Sequence, residues 1–127
     1  MAILHSKLPG VEQIIRNTVR SNTTIGYPPL FTACNTKEIN DVMDTFEAAC
    51  KNIAPVQDVI LGAILQKKGT GLPGSGFFNT FYIQRQAEWA SIAPGITDER
   101  DLSDPQKRQM VDSELKRIQA FHVSNPL

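Results

Sequence analysis

Side chains able to combine nucleophilic and base chemistry near neutral pH are sparse in this sequence: His5, Cys34, Cys50 and His122, each far from the others. A Cys–His or Ser–His couple would therefore have to be assembled by the fold, because no two of these residues are neighbours in the chain. None of them pairs at the short spacing of zinc ligands, and the acidic stretch Asp98-Glu99-Arg100-Asp101 lacks the glycine and the later glutamate of a calcium loop. No metal and no cofactor is expected. The two cysteines are too few for a disulfide framework and read as reduced thiols. Cys50 falls on the apolar side of a helix, whereas Cys34 lies in a loop and is the better placed of the two to react.

A glycine-rich run, Gly69-Thr70-Gly71-Leu72-Pro73-Gly74, formally fits the fingerprint of dinucleotide-binding loops. That fingerprint works when a strand delivers the glycines to a helix N-terminus, where backbone amides hold a pyrophosphate. Here the preceding residues read as helix, Pro73 removes an amide donor, and no Gly-Lys-Ser or Gly-Lys-Thr follows. Residues 69–76 are expected to be a connection, with Gly69, Gly71 and Gly74 as the phosphate site of an alternative nucleotide-binding reading.

Near the C-terminus, Arg117 and His122 are separated by four residues. This Arg-x4-His spacing resembles that of the helical HEPN ribonuclease family, in which the pair implies a catalytic couple in a dimer cleft and a polar residue commonly follows the arginine; Ile118 occupies that position here. On a regular helix five positions place the two side chains about 140° apart, so convergence needs a kink or a second subunit. The resemblance supplies an enzymatic alternative, an RNA nuclease using Arg117 and His122.

Five of the nine aromatic residues fall in one segment: Phe77, Phe78, Phe81, Tyr82 and Trp89. They widen an apolar stripe beyond what one small core needs, which marks them as candidate partner-binding residues. Tyr27-Pro28-Pro29-Leu30-Phe31 reads as a packed loop with some potential as an extended recognition segment.

The elements that position these groups are legible from periodicity. A first helix starts near Pro9, carries Val11, Ile14, Ile15, Thr18 and Val19 on one side, and ends by Asn22. A long irregular loop is expected over about 22–35. A second helix over 35–53 has Asn35 as cap, Glu38 three residues on, and Ile39, Val42, Met43, Phe46, Cys50 and Ile53 on one face. Opposite lie Glu38, Asp41, Asp44, Glu47 and Lys51, where the Glu47–Lys51 spacing favours a surface ion pair. Residues 55–68 read as a third, central helix, although the run 59–65 also fits a buried strand. Helices over 76–93 and 104–123 follow, the last capped by Ser103 with Pro105 in its first turn and Val111, Leu115, Ile118 and His122 on one stripe.

The expected fold is mainly α: a compact bundle of four to five helices forming a single domain over residues 1–127. Thirteen basic residues balance thirteen acidic ones with no block of like charge, which argues against nucleic acid or an anionic membrane as partner. No stretch approaches the roughly 18 apolar residues of a membrane span, and the start lacks the apolar core of a secretory signal. The expected setting is cytoplasmic. The function that fits these features is a small non-enzymatic interaction or regulatory protein, using helical apolar surface to bind a protein partner or itself as a homo-oligomer.

Overall fold

The computed structural model describes residues 2–127, and these form a mainly α-helical bundle. Six α-helices run in the order α1 (Leu8–Arg20), α2 (Pro28–Cys34), α3 (Ile39–Ile53), α4 (Ser75–Gln84), α5 (Gln86–Ile92) and α6 (Asp104–Ser124), with short 3-10 turns at His5–Lys7, Leu61–Ile64 and Glu99–Asp101. Among the described residues no helix is long and apolar enough to cross a membrane.

α1 and α6 follow the sequence pattern closely. α1 buries Val11, Ile15, Thr18 and Val19 and packs most extensively against α3. α6 opens with a capping box: the Gln106 backbone N–H donates to Ser103 Oγ, and the Ser103 N–H donates to Gln106 Oε1. That arrangement satisfies donors on both sides of the helix start.

The expected irregular loop over about 22–35 is half helix. Pro28 and Pro29 occupy the first turn of α2, where their fixed φ suits the helix and their missing N–H groups have no helical partner to lose. The pair that works against a helix interior therefore opens one. Asn35, expected to cap the next helix, instead closes α2 in the left-handed region at φ 52°, and α3 begins at Ile39 with Glu38 before it. Asparagine tolerates that backbone better than most residues because its short polar side chain bonds locally.

Within residues 55–68 the apolar run 59–65 is central, as its apolarity requires, but the segment is not the expected α-helix. Val59, Ile60, Leu61, Ala63, Ile64 and Leu65 are all buried, and the Leu61–Ile64 turn touches α1, α3, α4 and α6. Gly62 and the β-branched Val56, Val59, Ile60 and Ile64 weaken helix propensity. Buried irregular backbone must still find hydrogen-bond partners, and here they come from four places. Asp58 and Val59 N–H donate to Pro55 O, Ala63 N–H to Ile60 O, and Leu65 N–H to Gly62 O. Ile25 threads alongside, its N–H donating to Ile64 O at 2.8 Å while its carbonyl accepts from Gln66 N–H at 2.9 Å, a single parallel bridge. The Arg85 side chain donates to the carbonyls of Val56, Gln57 and Asp58, and the Glu114 carboxylate accepts from the Ile60 N–H.

The expected helix over 76–93 is broken at Arg85, whose backbone sits at φ −126°, ψ 49° between α4 and α5. Phe77, Phe78 and Phe81 from α4 and Trp89 from α5 enter one contiguous core with residues from every other helix. Phe77 meets Phe78 edge-on at 5.1 Å between ring centroids, and Tyr82 meets Trp89 likewise at 4.9 Å.

Candidate functional site

A buried charge network organises one side of the molecule. Glu114 lies in the middle of the buried stripe of α6, between Met110 and Ile118, and is fully inaccessible. Its Oε2 accepts from the Ile60 N–H at 2.9 Å and from Arg85 Nη2 at 3.3 Å, and its Oε1 accepts from Arg85 Nε at 3.3 Å and from Arg117 Nη1. Arg85 also donates to the carbonyls of Gln57 at 2.9 Å and of Val56 and Asp58 at 3.3 Å. Arg117 continues to Glu88 Oε1 at 2.8 Å, and Ser113 Oγ donates to the same carboxylate. Burial alone would raise the Glu88 pKa, but the hydrogen bonds from Ser113 and Arg117 outweigh it and hold the carboxyl below its ordinary range. Burial likewise opposes the charge of Arg117, and its bonds to Glu88 and the nearby Glu114 carboxylate raise its pKa above the usual value. No buried side-chain polar atom among the described residues is left without a partner.

The bonds from Arg85 and Glu114 fix residues 56–60, and of these Val56, Val59 and Ile60 line one wall of an apolar cleft. This cleft, of about 340 Å³, runs between α3, the 54–65 segment and the start of α4. Phe46, Cys50, Ala54, Ile60, Leu61 and Phe77 line its interior. Tyr27, Glu47, Lys51, Asn79 and Thr80 stand at the rim, where Glu47, Lys51 and Asn79 are exposed. The volume lies within the range of about 300–1,000 Å³ for ligand pockets, and an apolar interior with a few polar rim groups is their usual chemistry.

The cysteines are placed for packing. Cys34 lies at the end of α2 rather than in a loop, and both thiols are free and buried. Burial pushes the Cys34 pKa up against the weaker opposing effect of Lys7, and it pushes Cys50 up strongly, with Glu47 adding to the shift. Such thiols stay protonated at neutral pH and are poor nucleophiles.

Of the aromatic candidates, Phe77, Phe78, Phe81 and Trp89 are at most 5% exposed, and Tyr82 is half-buried. Their breadth is absorbed by the chain's own core, because the irregular 55–65 segment and α6 cover the side left open by a simple bundle. Among the described residues the large apolar side chains that remain exposed are Ile3, Ile39, Ile83 and Val123, from four different segments.

Gly69 and Gly71 lie in a tight turn closed by its own hydrogen bonds, and Gly74 stands directly before α4. Gly71 N–H donates to Lys67 O at 2.8 Å, Lys67 N–H to Leu72 O at 2.9 Å, and Leu72 N–H to Thr70 Oγ1 at 3.2 Å. Gly71 has φ 64°, and its carbonyl accepts from Arg108. Arg117 is engaged by Glu88 and Glu114, while His122 Nδ1 accepts from the Leu127 N–H at 3.0 Å. The two side chains thus face different partners. Glu47 and Lys51 form no ion pair with each other, and no group of three or more His, Cys, Asp or Glu among the described residues is placed to hold a metal ion.

No protein-family model matches the chain, and neither a curated protein nor a solved structure does.

Sequence reasoning passed over Glu114, Arg85 and the cleft. Glu114 had a signal: a carboxylate in phase with Met110, Val111 and Ile118 on an otherwise apolar stripe demands a buried cation. The cleft had none, since its lining is drawn from segments spread between Tyr27 and Thr80.

Proposed function

We propose that this protein works by non-covalent binding rather than by catalysis, and that its recognition site is the cleft between α3, residues 54–65 and α4. The carrying observation is the cleft itself: an apolar interior of about 340 Å³ whose irregular wall is held by the Arg85–Glu114 bonds. A wall fixed by hydrogen bonds keeps the site open before a ligand arrives, which lowers the ordering cost of binding. The chemistry around it favours recognition, because Cys50 is a buried neutral thiol and the Ser113–Glu88 pair has a carboxylate held too acidic to serve as an effective base. This role keeps the protein among interaction proteins and moves its apolar contact from the aromatic helices to the cleft.

Calorimetric titration with indole, a compact apolar probe, tests the proposal. Thr80 is the residue to change, since its hydroxyl donates to Gly76 O within its own helix and leaves no distant partner orphaned when removed. Saturable binding to the parent protein that is lost in Thr80→Phe, which fills the mouth, is the expected result. No binding, or equal binding to both proteins, overturns it.

A further inference from the structure

We infer that the ligand of this cleft is a small zwitterion with an apolar body, of the class of aromatic α-amino acids; the inference rests on the cleft being a binding site. Size supplies the first constraint. At about 340 Å³ the cleft is roughly twice the ~150 Å³ of a cavity that takes one benzene ring, so it accommodates a body of one or two rings plus a head group at the rim.

Charge supplies the second. Glu47 and Lys51 lie one turn apart on α3 and both line the rim. The sequence spacing favours pairing them with each other, yet neither takes part in a hydrogen bond or ion pair among the described residues. Glu47 reaches instead toward the first turn of α4, its Oε1 lying 3.7 Å from where a Cβ on Gly76 would sit. A ligand with a single charge at this rim would meet one attractive and one repulsive neighbour. A zwitterion meets two attractive ones, its ammonium on Glu47 and its carboxylate on Lys51. Residues at i and i+4 on a helix have Cβ atoms about 5–6 Å apart, which lets these two long side chains close on two charges carried by one carbon. The Tyr27 hydroxyl, at the same rim and also without a hydrogen bond among the described residues, is available to the head group.

Titration of the full chain with L-tryptophan, with indole as the body alone and with glycine as the head alone, separates these contributions. Tryptophan is expected to bind about tenfold more tightly than indole, the gain of one good charge-assisted hydrogen bond, and glycine not measurably. Glu47→Gln and Lys51→Met, both changes of exposed side chains, should bring the tryptophan affinity down to that of indole. Indole binding with no advantage for tryptophan, or an advantage that survives both substitutions, overturns the zwitterion while leaving the cleft as a binding site. Failure of both indole and tryptophan to bind removes the binding site and the zwitterion together.

Discussion

Replacing Glu114 by leucine removes the carboxylate that joins α6 to the Ile60 N–H and to Arg85. Arg85, with only 11% of its side chain exposed, would keep its backbone carbonyl partners but lose its counter-charge, and the buried Ile60 N–H would lose its acceptor. Stripping one partner from a buried ion pair costs about 3–5 kcal/mol, and an orphaned buried N–H about 1–3 kcal/mol. These penalties overlap, because the chain relaxes around both, so a loss of about 4 kcal/mol is expected from a total of about 5–15 kcal/mol. Glu88→Gln is the control: its carboxylate is 29% exposed and its pair with Arg117 is worth about 1 kcal/mol or less. Urea denaturation followed by far-UV circular dichroism reads both values. Combining Arg85→Met with Glu114→Leu should cost less than the sum of the single changes by about 1.5 kcal/mol or more, since the second removal leaves no unpaired charge. A Glu114→Leu protein within about 1 kcal/mol of the parent would mean that leucine fills the site as well as the ion network does and that Glu114 does not hold the wall.

Three further outcomes follow from the same geometry. Ser103→Ala removes the side-chain half of the α6 capping box and should cost about 1 kcal/mol in the same denaturation assay, with no change in helix content at low urea. Because the folded-state pKa of Glu88 is depressed, its contribution is fully present above the ordinary carboxylate value of about 4.3 and is lost as pH falls through the lower folded value. The parent should therefore lose more stability than Glu88→Gln on acidification from about pH 5 to pH 3, and parallel stability profiles would count against the depressed value. Cys34 and Cys50 should react with a maleimide far more slowly in the native protein than in urea, Cys50 the slower of the two, as mass spectrometry after timed quenching would show.

Much of the helical framework was legible because the local signals agreed with the fold. α1, α3 and α6 carry apolar residues at helical spacing, and the cap at Ser103 works as its sequence suggests. The exceptions share a physical cause, which is that tertiary contacts decide where local preferences are weak. A proline pair disfavours a helix interior but suits a first turn, so α2 depends on where Tyr27 and Leu30 are placed by the rest of the chain. Within 55–68 the run 59–65 is apolar throughout apart from Gly62 and therefore has no periodicity to read. The conformation of the segment follows from Ile25 on one flank and from Arg85 and Glu114 on the other, groups between 27 and 54 positions away in sequence terms. The helix break at Arg85 belongs to the same contact. Aromatic breadth in α4 and α5 suggested a surface because a bundle of four regular helices would not cover it; the irregular central segment does. The cleft is a product of that segment too, since a regular helix over 55–68 would present a different wall to α3 and α4.

The proposed function requires that the apolar space between α3, residues 54–65 and α4 receive a ligand. Amide chemical shifts of the isotopically labelled protein, followed while indole is added, test it most directly. Saturable shifts confined to residues around the cleft, including Cys50, Ile60, Gly62, Phe77 and Thr80, are expected, together with their loss in Thr80→Phe. Shifts centred elsewhere, or none at millimolar indole, would contradict it.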